Sequence, residues 1–155
     1  MEKLKILIAD DVNELAEILK KVIQKDEKIE VIGIANDGQE EYDKIIELQP
    51  DLVFTDNQMP KMTGIEVIEK INNEPIITKK PEFVLVTGDR DYNIYKKAYE
   101  LNIYTVINKP YNENKILNTI TEYVESKNVI EEKVVIKEKG FISKLISKIK
   151  RKKEV

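Results

Sequence analysis

The chain of 155 residues has no cysteine, no tryptophan and no histidine. Without Cys there is no disulfide framework and no catalytic thiol, and without Cys or His there is no zinc site. Without His, imidazole acid–base chemistry and a phosphohistidine carried on this chain are both excluded. No apolar run approaches the ~18 residues of a spanning helix. Met1-Glu-Lys-Leu-Lys runs straight into a short strand and does not read as a signal peptide. The expected compartment is the cytoplasm.

What is present suits one globular domain with an adequate core: 41% of the residues are hydrophobic. The charge is unevenly spread. Residues 127–155 hold 10 Lys and Arg against 4 Asp and Glu, a net of +6. The whole chain has 26 basic and 29 acidic residues, so residues 1–126 hold 16 against 25, a net of −9. An acidic body with a basic tail suggests an interaction tail.

Along the body, apolar runs alternate with helical patterns five times. The expected strands are Leu4 to Ala9, Ile29 to Ala35, Leu52 to Thr55, Phe83 to Thr87 and Ile103 to Ile107. Between and after them fall helices: one capped by Asn13 with Leu15, Ala16, Leu19, Val22 and Ile23 inward, then 39–48, 65–73 and 90–101. A fifth helix is capped by Asn112 and runs to about Ser126, with Ile116, Leu117, Ile120 and Val124 inward. Such alternation predicts a doubly wound, five-stranded parallel sheet with helices on both faces. The strands are continuous apolar runs, as a sheet covered on both sides requires.

Every candidate reactive group follows or ends a strand: Asp10 and Asp11 after the first, Asp56 after the third, Thr87 at the fourth, Lys109 after the fifth. A parallel sheet puts all these ends on one edge, where open α/β folds place their ligand sites. Three carboxylates gathered there repel one another, so they hold protons or bind a cation. Oxygen-only ligands with open positions suit Mg²⁺. With a Lys ammonium and a Thr hydroxyl added, the set describes a site for a phosphoryl group, with a carboxylate as the attacking atom. Taken singly, Asp10 or Asp11 reads as a loop acid or helix cap, Thr87 as a strand residue and Lys109 as a solvated cation. The functional reading rests on their falling together at four strand ends.

Asp10-Asp11, the Asp56-x-x-Met59-Pro60-x-Met62-x-Gly64 loop, Thr87-Gly88 and Lys109-Pro110 resemble the receiver domain of bacterial two-component response regulators, over about residues 2–126. The wording of Ile8 to Asp11 and of Glu30 to Gln39 is most similar to the receiver half of sporulation-initiation regulators. The resemblance implies a flavodoxin-like fold. It makes Asp56 the phosphoacceptor, taking its phosphoryl group from the phosphohistidine of a sensor kinase or phosphotransfer protein. Asp11, Asp56 and the Gln58 carbonyl would bind Mg²⁺ directly, and Asp10 largely through water. Thr87 would swing toward the phosphoryl group. Lys109 would pair with it, across a bend made by a cis bond to Pro110. A downstream protein would read the result. At one position the chain departs from the pattern: the ring that receivers carry three residues before the Lys is here Val106, with Tyr104 two residues away on the same strand face as its substitute. Relay through a rotating ring is therefore in question, whereas the phosphorylation chemistry is not.

Residues 127–140 are charged and mixed, and read as a linker or an extension of the fifth helix, punctuated by Gly140. Phe141 to Lys153 then predicts a separate basic amphipathic helix. At 100° per residue Phe141, Ile142, Leu145, Ile146 and Ile149 share an arc of about 140°, with most basic residues opposite. The expected boundaries are a receiver domain over 1–126 and, over 127–155, a charged linker with a tail helix. The tail is too short for the DNA-binding domain of a typical response regulator. It suits a membrane surface, making the protein peripheral there, or a partner's groove, or packing on its own body.

Three functions compete. The first is a phosphoacceptor switch that catalyses its own phosphorylation and dephosphorylation. The second is a degenerate receiver acting as a localisation or protein-binding module, which the intact Asp56, Thr87 and Lys109 argue against. The third is a Mg²⁺-dependent phosphohydrolase. Related enzymes of that kind need a second Asp two residues after the nucleophile as general acid, and Gln58 stands there, so turnover of small substrates is not expected.

Overall fold

The computed structural model describes residues 2–153. They form two compact units, one ending at Ile116 and one beginning at Leu117. The element order is β1 (Leu4–Ala9), α1 (Asn13–Ile23), β2 (Ile29–Ala35), α2 (Gly38–Leu48), β3 (Leu52–Asp56), α3 (Gly64–Asn72), β4 (Glu82–Thr87), α4 (Tyr92–Glu100), β5 (Thr105–Asn108) and α5 (Glu113–Lys153). The strands make one sheet in the order β2-β1-β3-β4-β5, and every pair is parallel. The doubly wound five-stranded sheet expected from the alternation is therefore present, with its flanking helices.

β3 lies at the centre of the sheet, and all five of its residues are buried. Its apolar run can sit there because both of its faces are covered. On one face Leu7, Val53 and Phe83 stand in register across three strands, and Ile45, Val67, Ile68 and Ile71 pack on them. Each such side chain removed from water contributes about 1.5–3 kcal/mol before entropy is counted. The strand order changes direction between β1 and β3, because β2 lies outside β1 and β4 outside β3. The chain leaves these two neighbours toward opposite sides, which opens a crevice at their carboxyl ends. The register places Ala9 opposite Thr55, Asp56 opposite Val86, and Thr87 opposite Asn108. Asp10, Asp56, Thr87 and Lys109 are thereby carried to the same edge.

Several boundaries shift, each for a local reason. Asn13 is not the cap of α1: the Val12 N–H donates to Asp10 Oδ1 (2.9 Å), which turns the chain into the helix one residue early. Leu15, expected inward, is exposed, and Ala16, Leu19 and Ile23 form the buried stripe. α3 starts at Gly64 because Thr63 and Glu66 form a reciprocal capping box. α4 starts at Tyr92, after Asp91 accepts from the Asn93 N–H. β5 spans Thr105–Asn108 rather than 103–107, since Asn102 takes a left-handed conformation and Ile103 turns onto the core cluster. Tyr104 thus falls just before the strand's first residue, with its N–H bonded to Phe83 O (2.9 Å).

The largest departure is α5, a single helix of 41 residues. Of the two readings of 127–140, the extension of the fifth helix is the one that forms, and the expected break at Gly140 is absent. Residues 127–139 are mostly Lys, Glu, Val and Ile, and one Gly inside a helix costs only about 1 kcal/mol. Ile116, Ile120 and Tyr123 are buried along α5, whereas every described residue from Asn128 onward is exposed.

Candidate functional site

The site is built on five strand-to-helix connections. After β1, Asp10 is 8% exposed, and the Asn36 amide donates to its backbone carbonyl (3.0 Å), tying the end of β1 to that of β2. Asp11 follows, exposed to solvent. At the end of β3, Asp56 is 7% exposed and its Oδ1 accepts from the Gln58 N–H (3.1 Å). Oxygens of Asp10, Asp11 and Asp56 lie within 4.8 Å of one another, the one acidic cluster of that kind among the described residues. From the end of β5, Lys109 reaches in: its Nζ donates to Asp56 Oδ2 (2.6 Å) and stands 3.7 Å from Asp10 Oδ2. The Lys109–Pro110 bond is cis, as expected.

These charges act on one another. Burial raises the pKa of Asp10 above the usual aspartate value, opposed by the Val12 N–H and Lys109 and assisted by Asp56 and Asp11. Burial works to lower that of Lys109, but its bond to Asp56 and the field of Asp56 and Asp10 outweigh this and raise it. The ammonium therefore stays charged at neutral pH. Thr87 is fully buried at the end of β4, and its Oγ1 accepts from the Asp89 N–H (3.1 Å). Gln58 is exposed. Val106, in β5, and Tyr104, whose N–H donates to Phe83 O (2.9 Å), are both half-buried.

The connection after Asp56 is held on two sides. Toward α3, the Gly64 N–H donates to Asn57 O and the Ile65 N–H to Asn57 Oδ1, both at 3.1 Å. Toward α2, the Gly38 N–H donates to Pro60 O (3.1 Å) and Asp37 pairs with Lys61 (3.2 Å). A Cβ on Gly38 would fall 2.2 Å from Met62 O, and one on Gly64 would fall 2.5 Å from Asp56 O. Both glycines are required by backbone approaching backbone.

Sequence reasoning missed the support beneath Asp56. Glu41, on α2, has no exposed surface, and its Oε2 lies 3.0 Å from Thr55 Oγ1, which is 3.2 Å from Asp56 O. Burial pushes the Glu41 carboxyl well above the usual range, against the pull of the Thr55 bond. A hydroxyl has one proton and can serve only one of these two oxygens. The Thr55 hydroxyl donates to Glu41 Oε2, and its contact with the adjacent Asp56 O is the longer of the two. Glu41 Oε1 has no partner, a smaller cost on a neutral acid than on a carboxylate. In sequence Glu41 simply follows Gln39 and Glu40 in the polar first turn of a helix, so nothing local marks it as buried. Tyr111 was also missed. Burial raises its pKa, and the charges of Lys109, Asp10 and Asp56 reach it.

An oxygen-only acidic cluster thus stands at the switch point of a parallel sheet, with an ammonium bonded to its most buried carboxylate. Residues 6–121 match the response regulator receiver domain family, and the chain belongs to that family. Among similar proteins, the uncharacterized response regulatory protein of Vibrio cholerae is 34% identical over 117 residues, 76% of this chain and 47% of that protein. The transcriptional regulatory protein YesN of Bacillus subtilis, also uncharacterized, is 31% identical over 121 residues, 77% of this chain and 32% of that one. This chain thus spans only about a third to a half of these curated relatives. The CheY-like receiver domain protein of Methanospirillum hungatei superposes with a TM-score of 0.71 at 26% identity, covering 83% of this chain and 98% of that one. The response regulator domain of Thermotoga maritima CheB gives 0.63 at 27% identity, covering 81% and 93%.

Proposed function

We propose that this receiver domain is a phosphoacceptor switch in two-component or phosphorelay signalling, with Asp56 as the phosphorylated residue. The observation that carries this reading is the Asp56 carboxylate, 2.6 Å from Lys109 Nζ and inside a cluster of three acids. The donor is the phosphohistidine of a sensor kinase or phosphotransfer protein, since this chain has no His. An Asp56 oxygen attacks phosphorus, the P–N bond breaks, and the partner's imidazole nitrogen keeps the bonding pair. Lys109 neutralises charge on the phosphoryl oxygens as they approach. Thr87 accepts from Asp89 and, being a hydroxyl, still has a proton to donate to one of those oxygens. The fixed backbone around Asn57 and Gly64 keeps Asp56 oriented.

The donor set fits a hard divalent cation: three carboxylates, oxygen only, with Asp11 open to water. Asp10, Asp11, Asp56 and the Gln58 carbonyl would hold Mg²⁺, which supplies charge neutralisation for phosphoryl transfer. Val12, Leu15 and Ile18 stand exposed just after Asp11 and along α1, an apolar surface beside the place where a partner's donor must arrive. The phosphorylated state signals to a downstream protein through the segment of Thr87, Tyr104, Val106 and Pro110, and the protein works in the cytoplasm. Receiver function over residues 1–126 is kept distinct from that of 127–155. Incubation with acetyl phosphate and Mg²⁺ should add one phosphoryl group, about 80 Da by intact mass, in the native chain and not in Asp56→Asn. Phosphorylation of Asp56→Asn at the native rate would overturn the assignment.

A further inference from the structure

The apolar stripe of α5 outlasts the buried part of the helix. Phe141 is 69% exposed, and Ile142, Leu145, Ile146 and Ile149 are each about half exposed. On one continuous helix these five fall within about 140° of arc, a single face of large apolar side chains. The same stretch, 141–153, has six basic residues and no acid. Lys144, Lys150 and Arg151 lie opposite the apolar face, Lys148 lies at its border, and Lys152 and Lys153 end the helix beyond the last apolar residue. The preceding turns differ in kind: Lys127, Lys133, Lys137 and Lys139 are interspersed there with Glu131, Glu132 and Glu138. The net positive charge of 127–155 is therefore concentrated on the stretch that carries the five-residue apolar face.

Two features must be satisfied together, an apolar face and an uncompensated positive one. A second copy of the helix would cover the apolar face but set six cations against six with no acid among them. A neutral groove would cover it and leave the charge without a partner. An anionic lipid surface answers both. Acyl chains at the headgroup boundary take the apolar residues, and lipid phosphates and carboxylates take the Lys and Arg, whose long stems let the border residues reach up to the headgroups. No helix of the described residues is long and apolar enough to cross a membrane, so this one would lie in the interface. We propose that residues 141–153 bind reversibly to anionic membrane surfaces with the helix axis in the membrane plane. The proposal is independent of the phosphoacceptor chemistry.

The absence of Trp supplies a reporter: Phe141→Trp places a single indole on the proposed insertion face. The full-length variant is titrated with vesicles of phosphatidylcholine alone and of phosphatidylcholine with phosphatidylglycerol, at about 0.05 and 0.5 M salt, and co-sedimentation is measured in parallel. Expected is a blue shift with the anionic vesicles only, and sedimentation weakened about tenfold or more by the high salt. Adding Leu145→Ser and Ile149→Ser should abolish both signals, and so should Lys144→Gln, Lys148→Gln and Arg151→Gln together. Urea unfolding checks that each variant is folded. Any of three results overturns the proposal: no blue shift with anionic vesicles, equal binding to neutral and anionic vesicles, or full binding by the Leu145/Ile149 variant. A tail that instead makes a dimer in solution, or captures an acidic protein, gives the first of these results.

Discussion

Glu41→Gln replaces one buried oxygen by an amide and leaves the shape of the side chain unchanged. In the native protein, burial raises the Glu41 pKa well above the ordinary glutamate value of 4.5, and the Thr55 bond is the one opposing influence. No charged neighbour takes part. An acid whose pKa is higher folded than unfolded contributes stability that is complete below the unfolded value and is lost as pH rises toward the folded one. Over that window each pH unit costs the native protein about 1.4 kcal/mol, because the folded state holds a proton that the unfolded state has released. The substituted amide carries no titrating proton and keeps an oxygen to accept from Thr55 Oγ1. The Glu41→Gln variant should therefore match the native protein within about 1 kcal/mol near pH 4.5 and gain on it steadily as pH rises. Contributions from Asp10 and Lys109 are common to both proteins and cancel in the difference. Urea unfolding of both at several pH values from about 5 to 8 measures this directly. A difference that stays flat with pH, or a variant less stable throughout, would refute the buried acid. Glu41→Ala serves as a second arm. It leaves a cavity and breaks the chain to Thr55, so it should cost about 2 kcal/mol near pH 5. Neither variant touches the reacting atoms, so both should still be phosphorylated by acetyl phosphate.

The other expectations concern the cluster and its loop. Lys109→Ala removes the cation bonded to Asp56 and should lower stability at neutral pH by about 1–3 kcal/mol, while slowing phosphorylation. The Lys109 pKa is raised on folding, so its contribution is complete below the unfolded value of 10.5 and fades as pH rises through the folded one; denaturant curves at pH 7 report it. Asp11→Ala should abolish Mg²⁺ binding by calorimetry. Without metal the variant should melt no lower than the native protein, because Asp10 loses a like-charged neighbour; a clear drop would count against a repulsive cluster. Gly38→Ala drives a Cβ to 2.2 Å from Met62 O and should cost more than about 1 kcal/mol by displacing the loop after Asp56, seen as a lower melting temperature and slower phosphorylation.

The sequence by itself determined the sheet and its edge. Apolar runs such as Leu52 to Thr55 can be stable only when covered on both faces, and strands alternating with helices can be only parallel, so the run of strands already implied a shared carboxyl edge bearing Asp10, Asp11, Asp56, Thr87 and Lys109. Boundaries followed less well, because caps are decided by which acceptor reaches an orphan N–H first. α1 starts after Val12 with no side-chain cap at all, whereas Thr63 with Glu66 sets the start of α3. Tertiary structure alone decided what lies beneath Asp56. Glu41 looks in sequence like its neighbour Glu40, and only the docking of α2 against β3 puts it out of water beside Thr55. Gly140, exposed and with nothing packed on it, is the case where local chemistry was misjudged rather than overruled. Local chemistry reads a lone glycine between two patterned segments as a stop, but its cost of about 1 kcal/mol is spread over a helix whose remaining residues favour the turn, and the helix runs on to Lys153.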